Sequence, residues 1–305
     1  MKIVIAGGLG FIGHVVTIML VEQGHECTVI DSFEDYGILN NNELVDIFAE
    51  RWGLLGKTKV IHSDVSKYSD IQNADVIVNL ASFPRAKAVD LNPARASSSM
   101  HVGTVKLCEA ANQYSAKMLF ISSSMVYGDW QEQFAKETHT PNPKGLYALM
   151  KFQGEQLVRT LCPDNHIIIR PSAVYGPRDV TDRVVSLMFK AAMSGNPIKV
   201  EGPYNLLDFT YVDDIAKGIV SAILSDVKNV TVNMSRGESK SLLDLAGSIT
   251  SITNSNSHIE LADHNTRYPR RGAQDISLAK SLFGFNPTTD LYTGLGLYYD
   301  WLKTR

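Results

Sequence analysis

A short apolar strand leads directly into a glycine turn and then into a helix at the start of the sequence. Lys2 to Ala6 is rich in β-branched residues, the spacing Gly7-x-x-Gly10-x-x-Gly13 follows it, and Val15 to Val21 is periodically apolar. Glycines at these positions let the backbone approach a pyrophosphate, which then lies at the positive end of the helix dipole. This order of elements predicts a dinucleotide-binding unit rather than a glycine-rich turn without a ligand.

Strands and helices alternate through the first half of the chain. Such alternation favours a Rossmann-type α/β fold, a doubly wound parallel sheet with helices on both faces. The predicted strands are Glu26 to Ile30, Lys59 to His62, Asp75 to Leu80, Lys117 to Ile121 and Ile167 to Arg170, and the predicted helices are Ala94 to Tyr114 and Leu146 to Leu161. Ligands of these sheets collect beyond the carboxyl ends of the strands. The residues at those ends, which predict one shared site, are Gly7, Asp31, Asp64, Ala81 and Ser123.

Two acidic residues at strand ends indicate how a dinucleotide is held. A carboxylate at Asp31 can accept hydrogen bonds from both ribose hydroxyls of adenosine, and it repels a 2′-phosphate, so it favours NAD over NADP. Asp64 follows the third strand. Its side chain either reaches the adenine amino group or caps a helix that starts near Lys67.

Tyr147 and Lys151 stand four residues apart in a segment that reads as a helix. This spacing puts both side chains on one face, one turn apart. An ammonium beside a phenol stabilises the phenolate. We therefore expect Lys151 to lower the pKa of Tyr147 from ~10 by about two to three pH units. Tyr147 then acts as an acid or base near neutral pH. The alternative is an amphipathic helix with a buried Tyr and a solvated Lys.

The second half of the chain is less regular. We predict an NAD-binding domain over 1–175 and a smaller C-terminal α/β substrate-binding region over 176–305, with 207–235 as a candidate return to the first domain. The elements predicted there are helices at Val184 to Met193, Asp213 to Leu224, Leu242 to Thr250 and Leu291 to Lys303, and strands at Ile198 to Val200 and Val230 to Asn233.

Composition narrows the class of protein further. With 44% hydrophobic and 20% charged residues and a net charge of -3, the chain reads as a soluble globular protein without a nucleic-acid partner. No apolar run reaches the ~18 residues of a membrane span. Cys27, Cys108 and Cys162 are widely spaced and read as reduced core residues, which suits the cytoplasm. Neither the cysteines nor the histidines have metal-type spacing, so we expect no metal site.

These motifs resemble those of the extended short-chain dehydrogenase/reductases, in particular the NAD-dependent nucleotide-sugar epimerase/dehydratase family. The resemblance covers nearly the whole chain. The segments that carry it, besides the glycine turn, are Asp31, Asp64-Val65, Asn79-Leu80-Ala81-Ser82, Ser122-Ser123-Ser124-Met125-Val126-Tyr127-Gly128, Tyr147-x-x-x-Lys151, Arg170-Pro171-Ser172-Ala173-Val174-Tyr175-Gly176-Pro177-Arg178 and Asp208-Phe209-Thr210-Tyr211-Val212-Asp213-Asp214.

The resemblance implies roles for individual residues. Ser123 hydrogen-bonds the reacting oxygen, Tyr147 is the acid or base, and Lys151 binds the nicotinamide ribose and tunes Tyr147. The implied NAD-binding residues are Gly7, Gly10, Phe11, Ile12, Asp31, Ser32, Phe33, Asp64, Val65, Leu80, Ala81, Ser82, Ile121, Tyr147, Lys151, Pro171 and Ser172. The implied substrate-binding residues are Arg85, Ser123, Ser124, Met125, Tyr147, Ala173, Arg183, Lys199 and Arg267.

The residues beside Ser123 indicate the reaction. Dehydratases of the family place an Asp-Glu pair after the catalytic Ser or Thr, and decarboxylases carry a Glu just before Val-Tyr-Gly. Here those positions hold Ser124 and Met125, which cannot take a proton from carbon. The resemblance therefore favours alcohol–ketone chemistry. In a 4-epimerase, the sugar is oxidised to a 4-keto intermediate, turns over and is reduced on its other face.

Three positions depart from the family pattern. Ala173 stands where an Asn usually contacts the sugar diphosphate, Leu207 where an Arg precedes the Asp-Phe pair, and Met100 where the long helix carries an Asn. Arg267 fits best as a replacement for the lost contacts, by its place ahead of Ala273-Gln274-Asp275. The other candidate cations are Arg85, Lys87, Arg178, Arg183, Lys199, Arg270 and Arg271.

Three hypotheses follow from these residues. The first is an NAD-dependent nucleotide-sugar 4-epimerase with a UDP-sugar as the expected substrate. The second, favoured by Ala173 and Leu207, is a dehydrogenase or ketoreductase of a hydroxyl substrate without a nucleotide. The third is a catalytically silent NAD-binding scaffold, against which the intact Ser123, Tyr147 and Lys151 set argues. By analogy with the family, the two helices at Ala94 to Tyr114 and Leu146 to Leu161 form the interface of a homodimer.

Overall fold

A computed structural model describes residues 1–34, 41–68, 70–71, 73–83, 85–130, 132–180, 182–263 and 269–305. Its central feature in this part of the chain is a sheet of seven parallel strands in the spatial order β7-β6-β5-β4-β1-β2-β3. The strands are β1 (Lys2–Ala6), β2 (Glu26–Asp31), β3 (Lys59–His62), β4 (Val76–Asn79), β5 (Lys117–Ile121), β6 (His166–Pro171) and β7 (Val230–Met234). The predicted Rossmann-type sheet is confirmed.

Helices cover both faces of this sheet and continue into the second half of the chain. They are α1 (Phe11–Glu22), α2 (Asn41–Leu54), α3 (Ala86–Leu91), α4 (Pro93–Ser97), α5 (Gly103–Tyr114), α6 (Leu146–Leu161), α7 (Val184–Met193), α8 (Val212–Leu224), α9 (Leu242–Thr253), α10 (Ser277–Phe283) and α11 (Leu291–Leu302). Among the described residues, no helix combines the length and the apolar character that a bilayer span requires.

Alternation along the strands explains why both faces are covered. Ile3 and Ile5 of β1 lie in one buried cluster with residues of α1 and α8. Val4, between them, lies in a second cluster on the other face with residues of α5 and α6. Successive side chains of a strand point to opposite faces, so a strand that is apolar at every position must be covered twice.

The order of the strands creates a crevice at their carboxyl ends. The chain proceeds from β1 to β2 and β3 on one side, and then crosses to β4 on the other side of β1. Ligands of such sheets bind where the strand order reverses. The glycine turn after β1 lies at this point.

A third cluster of apolar residues lies beyond the sheet. Phe189 of α7, Leu245 of α9 and Leu295 of α11 are fully buried together in it. Short strand pairs lie outside the central sheet. They are Val174–Tyr175 with Thr210–Tyr211, Ile198–Glu201 with Ile259–Ala262, Leu206–Leu207 with Lys240–Ser241, and Phe134–Ala135 with Ala273–Gln274. Strand β7 comes late in the chain but belongs to the central sheet. The domain boundaries predicted from the sequence remain a prediction.

One helix considered in the sequence is not found. In the described residues around Lys67 the chain makes a turn, in which Lys67 and Tyr68 donate their backbone N–H groups to the Asp64 carbonyl at 2.9 and 3.1 Å. The predicted long helix from Ala94 to Tyr114 is present, with a change of helix type inside it. It begins as α4, continues as a π-helical turn over Ser98–Val102, and ends as α5. Helix α2 was not predicted.

Candidate active site

The glycine turn joins the ends of three strands. The backbone N–H of Gly7 donates to the Ile30 carbonyl at 2.8 Å, and that of Gly10 donates to the Gly7 carbonyl at 3.0 Å. Gly7 has a φ of 80°, and a Cβ on it would lie 2.7 Å from the backbone N of Ala81. A side chain at Gly7 would therefore both strain the backbone and separate β1 from the end of β4.

The first turn of α1 is a potential anion site. Gly10 precedes the helix and supplies no side-chain cap to its N–H groups. Such groups bind anions readily, with help from the helix dipole. Gly10, Phe11 and Ile12 line a cavity of about 320 Å³ that follows the strand ends.

Asp31 lies at the end of β2, where the carboxylate faces the glycine turn. It accepts hydrogen bonds from the backbone N–H groups of Leu9 at 2.9 Å and Phe33 at 3.0 Å. Burial raises the pKa of Asp31, and these hydrogen bonds oppose the rise. The carboxylate is therefore fixed in orientation at the wall of the cavity.

Asp64 anchors the π-helical turn instead of capping a helix. Its carboxylate accepts hydrogen bonds from the backbone N–H and hydroxyl of Ser66, each at 2.8 Å, and from the Ser99 hydroxyl at 2.8 Å. Burial acts to raise the pKa of Asp64, but the hydrogen bonds outweigh it and lower the pKa below its ordinary value. The wider π turn places Ser99 at the cavity wall.

Most of the residues predicted for the site line this one cavity. The predicted NAD-binding residues among them are Gly7, Gly10, Phe11, Ile12, Asp31, Ser32, Asp64, Val65, Leu80, Ala81, Ser82, Ile121, Tyr147, Lys151, Pro171 and Ser172. The predicted substrate-binding residues among them are Arg85, Ser123, Ser124, Met125, Tyr147, Ala173 and Arg183.

Two predicted residues are described and do not line the cavity, and a third is not described. Phe33 stacks on Trp52 with ring centroids 5.1 Å apart and contributes its backbone N–H to Asp31 instead of its ring to the cavity. Lys199 is exposed on the strand Ile198–Glu201, which is paired with Ile259–Ala262 away from the central sheet. Arg267 lies outside the described residues.

Ser123 and Tyr147 meet at the centre of the cavity wall. Ser123 follows β5 and caps the 3₁₀ turn Ser124–Tyr127, because its hydroxyl accepts the backbone N–H of Met125 at 3.2 Å. Tyr147 lies in the first turn of α6 and hydrogen-bonds Ser123 through its phenol. A hydroxyl and a phenol are thereby joined at one point that is accessible from the cavity.

Lys151 lies one turn further along α6 and is almost fully buried. Its ammonium donates to the Ile121 carbonyl at 2.7 Å and lies 5.4 Å from the centre of the Phe120 ring. Burial lowers the pKa of Lys151 to about 7, and Glu155 opposes this effect. Lys151 therefore changes charge close to neutral pH.

The expected lowering of the Tyr147 pKa is not found in this structure. Burial raises the pKa of Tyr147, while Arg183, the hydrogen bond from Ser123 and Arg271 act against the rise. The physical reason is that a partly buried phenolate loses hydration, and the Lys151 ammonium is turned towards the Ile121 carbonyl.

Cations beyond Lys151 give the cavity a positive side. Arg85 forms an ion pair with Asp182, and the Arg183 Nε lies 3.3 Å from the Asp179 carboxylate. Arg271 also lines the cavity, and its Nε is a buried donor that finds no partner within the described part of the chain. Burial lowers the pKa of Arg271 to about 10, against the influence of Tyr147 and Asp208. An anion in the cavity would supply the missing partner.

The sequence did not single out Arg51 or Ser99, which also line the cavity. Arg51 lies on α2 and donates to the Leu9 carbonyl at 2.9 Å, so it braces the glycine turn from a helix that was not predicted. Ser99 reaches the cavity only because of the π turn. Arg271 was visible in the sequence as one of several late arginines, with no signal to separate it from them.

The residues present fit NAD. The uncapped turn of α1 suits its pyrophosphate, and the oriented Asp31 carboxylate suits an adenosine ribose with two free hydroxyls. Ser123, Tyr147 and Lys151 line the same cavity. Among the residues that the structure describes, no group of three or more His, Cys, Asp or Glu side chains could hold a metal ion.

A doubly wound sheet with a glycine turn at its switch point, and a Ser–Tyr–Lys set beside it, defines a dinucleotide-dependent enzyme of alcohol and ketone groups. The family model described as the NAD dependent epimerase/dehydratase family matches residues 3–235. The chain belongs to this NAD-dependent enzyme family, and the resemblance seen in the sequence is confirmed.

The names of several similar proteins refer to UDP-sugars. The chain is 30% identical to UDP-glucuronic acid decarboxylase 1 of Danio rerio, over 96% of this chain and 71% of that protein. It is 29% identical to the uncharacterized UDP-glucose epimerase YtcB of Bacillus subtilis (strain 168), over 97% and 96%. The crystal structure of UDP-glucuronic acid 4-epimerase from Bacillus cereus with UDP-glucuronic acid and NAD matches with a TM-score of 0.90 and 26% identity, over 100% of this chain and 99% of that chain.

Proposed function

We propose that this protein is an NAD-dependent nucleotide-sugar 4-epimerase. The observation that carries the proposal is the hydrogen-bonded Ser123 and Tyr147 pair, one turn from buried Lys151, in a cavity that begins at the glycine turn. The similarity to an epimerase of Bacillus cereus and to YtcB supports the same reaction class.

The chain's own groups manage the proton of the reacting hydroxyl. NAD, when bound, would supply the hydride chemistry at the sugar carbon. Tyr147 removes the proton of the sugar 4-hydroxyl and gives it back, and Ser123 hydrogen-bonds the same oxygen. Lys151, one helical turn from Tyr147, would bind the nicotinamide ribose. The raised pKa of Tyr147 in the protein alone keeps the phenol protonated until other charges enter the cavity.

The side chains after Ser123 separate this proposal from the decarboxylase relatives. Ser124 and Met125 line the cavity, and the Ser124 hydroxyl donates to the Ser172 hydroxyl at 3.3 Å. Neither residue offers a carboxylate that could take part in elimination or decarboxylation. The proposed reaction therefore stops at oxidation and re-reduction.

The positive side of the cavity supports an anionic substrate. Arg183 and Arg271 act on Tyr147, so their charges lie close to the reacting position. The buried Nε of Arg271 has no hydrogen-bond acceptor among the described residues. The phosphate oxygens of a nucleoside diphosphate linked to a sugar would supply a negatively charged acceptor. A UDP-sugar is the substrate class that we propose.

Ala173 supports a second candidate function. It lines the cavity without a polar side chain, and Leu207 packs against the apolar cluster of the second region. Both observations favour a dehydrogenase or ketoreductase of a hydroxyl substrate that carries no nucleotide. Unlike an epimerase, such an enzyme would change the redox state of added coenzyme with each turnover.

The experiment that tests the proposal begins with the nucleotide content of purified protein. We expect NAD to be released on denaturation. Incubation with UDP-, GDP- and dTDP-sugars, followed by NMR, is expected to convert a UDP-sugar to its 4-epimer without a lasting rise in absorbance at 340 nm. Steady NADH formation from an alcohol without a nucleotide would replace the proposal by the second candidate.

We also propose that the protein is a homodimer and works in the cytoplasm. Helices α5 and α6 pack against each other, and Val102 before α5 and Leu149 of α6 expose 48% and 40% of their surface. Cys27, Cys108 and Cys162 are buried and unpaired, which suits a reducing compartment. Light scattering after gel filtration tests the dimer, and Leu149→Asp is expected to give a monomer.

A further inference from the structure

The acid/base helix carries a third polar residue on the face that holds Tyr147 and Lys151. Glu155 follows Lys151 by one helical turn, as Lys151 follows Tyr147. Its side chain is completely buried. A buried carboxylate stays ionised only when cations and hydrogen-bond donors surround it. The partners of Glu155 therefore indicate its role.

The partners of Glu155 come from the two strands that end at the active site. The Ser122 hydroxyl donates to Oε1 at 2.6 Å, and Ser122 directly precedes Ser123. Arg170 of β6 donates to both carboxylate oxygens, from Nε at 2.8 Å and from Nη2 at 2.7 Å. Arg170 directly precedes Pro171 and Ser172 at the cavity wall. One carboxylate thus connects α6 with the ends of β5 and β6.

More positive than negative side chains surround the Glu155 carboxylate. Glu155 faces Arg170 from β6, and Arg159 donates to it from α6 at 3.1 Å. Lys151 lies one turn away, and Glu155 raises its pKa against the effect of burial. Tyr127, which accepts a hydrogen bond from Arg170 at 2.9 Å, is the nearest titratable group on the side of the 3₁₀ turn.

We propose that Glu155 is a positioning residue, which fixes Ser122 and thereby Ser123, and which places a negative charge one helical turn from the buried Lys151 side chain. This inference rests on the proposed function for the roles of Ser123, Tyr147 and Lys151. Glu155 touches neither the cavity nor the reacting atoms, so it acts through these groups.

The test compares variants that separate charge from packing. Glu155→Gln removes the charge and keeps the size. Arg159→Gln is the control, because it removes the outer contact of Glu155 and a hydrogen bond to Thr231 but leaves the contacts of Glu155 with Ser122 and Arg170 in place. Glu155→Met with Arg170→Met replaces the whole ion pair by apolar groups, a change that often preserves stability. Ser122→Ala breaks the link to Ser123 and leaves all charges in place.

The readout is the titration of Lys151 by NMR in ¹³C-lysine-labelled purified protein, assigned with Lys151→Met, together with the pH profile of kcat. We expect Glu155→Gln and the double variant to lower the Lys151 midpoint by about one pH unit. We expect kcat at neutral pH to fall by about tenfold or more, with the alkaline limb of its profile at lower pH. Ser122→Ala should lower kcat and leave the midpoint in place, and Arg159→Gln should change neither.

An unchanged Lys151 midpoint in the folded variants, or wild-type kcat in Ser122→Ala, would overturn the proposal. If Glu155→Gln does not fold, the double variant and Ser122→Ala still decide the question. A folded double variant with wild-type kcat would assign Glu155 a structural role alone. Because the midpoint is measured without substrate, this result is independent of whether the protein epimerises a UDP-sugar.

Discussion

At the scale of single residues, Tyr147 lies between a hydroxyl that hydrogen-bonds it and two arginines that act on its charge. Burial raises its pKa, and Ser123, Arg183 and Arg271 oppose the rise. Lys151 has the reverse problem, since burial lowers its pKa to about 7. Loss of hydration thus favours the uncharged form of both side chains. The polar and charged groups that face each side chain oppose this effect.

Replacing Tyr147 by Phe removes the proposed acid/base and keeps the ring. We expect turnover to fall by at least ~10², the ordinary effect of losing a positioned acid or base. The NAD content of the purified variant should match that of the wild type, because the ring still fills the cavity wall. Undiminished turnover would show that Tyr147 is not the acid or base, whereas no turnover in either protein would support the silent NAD-binding scaffold.

Lys151 predicts a dependence of stability on pH in the protein without ligands. Its pKa falls from an ordinary 10.5 to about 7, so between these values the unfolded chain binds a proton that the folded chain lacks. Stability should therefore rise with pH across this window, by up to about 1.4 kcal/mol per pH unit. Lys151→Met removes this contribution.

Urea unfolding at pH 7 and pH 9 measures the effect. We expect Lys151→Met to be more stable than the wild type at pH 7, with the difference becoming smaller at pH 9. A difference that stays constant over this range would mean that Lys151 keeps its proton in the folded protein. The lowered pKa would then be wrong.

At the scale of elements, the packing of α1 on the glycine turn determines whether the site forms. A Cβ on Gly13 would lie 2.2 Å from the Gly7 carbonyl oxygen, so Gly13→Ala forces α1 away from the turn. We expect a loss of at least about 1–3 kcal/mol of stability from this overpacking, and weaker NAD binding. Calorimetric titration with NAD and thermal unfolding measure the two effects.

Gly247 provides the matched control for this substitution. It lies in α9, and a Cβ there would meet no atom within 4 Å. Gly247→Ala should leave NAD binding unchanged and raise stability by up to about 1 kcal/mol, because alanine favours the helix. Equal effects of the two substitutions would show that contact with the turn is not what requires Gly13.

The elements also show what the sequence could and could not predict. Parallel strands such as β5 are apolar at every position after the first, so they are recognised without knowing the fold. Helix α2 shows the opposite pattern, since Arg51 is buried while Val45 and Trp52 are exposed, and its periodicity is therefore obscured. The π turn Ser98–Val102 was not foreseeable because its residues continue a helical pattern, and only the contacts of Ser99 with Asp64 mark it.

At the scale of the whole molecule, the cavity collects residues that are far apart in the chain. Most of the predicted NAD-binding residues line it, because the carboxyl ends of parallel strands meet at one edge. The substrate side was predicted less well. Lys199 is exposed on another strand pair, and Arg271 reaches the cavity from the late segment through contacts that no local pattern encodes.

The measurement that tests the central claim most directly is the fate of a deuterium label at C4 of the UDP-sugar that the protein converts. We expect the 4-epimer to keep the deuterium at C4, with no net NADH, because the hydride removed at the Ser123–Tyr147 position returns to the same carbon. Loss of the label to solvent, or one equivalent of NADH for each sugar consumed, would contradict the account.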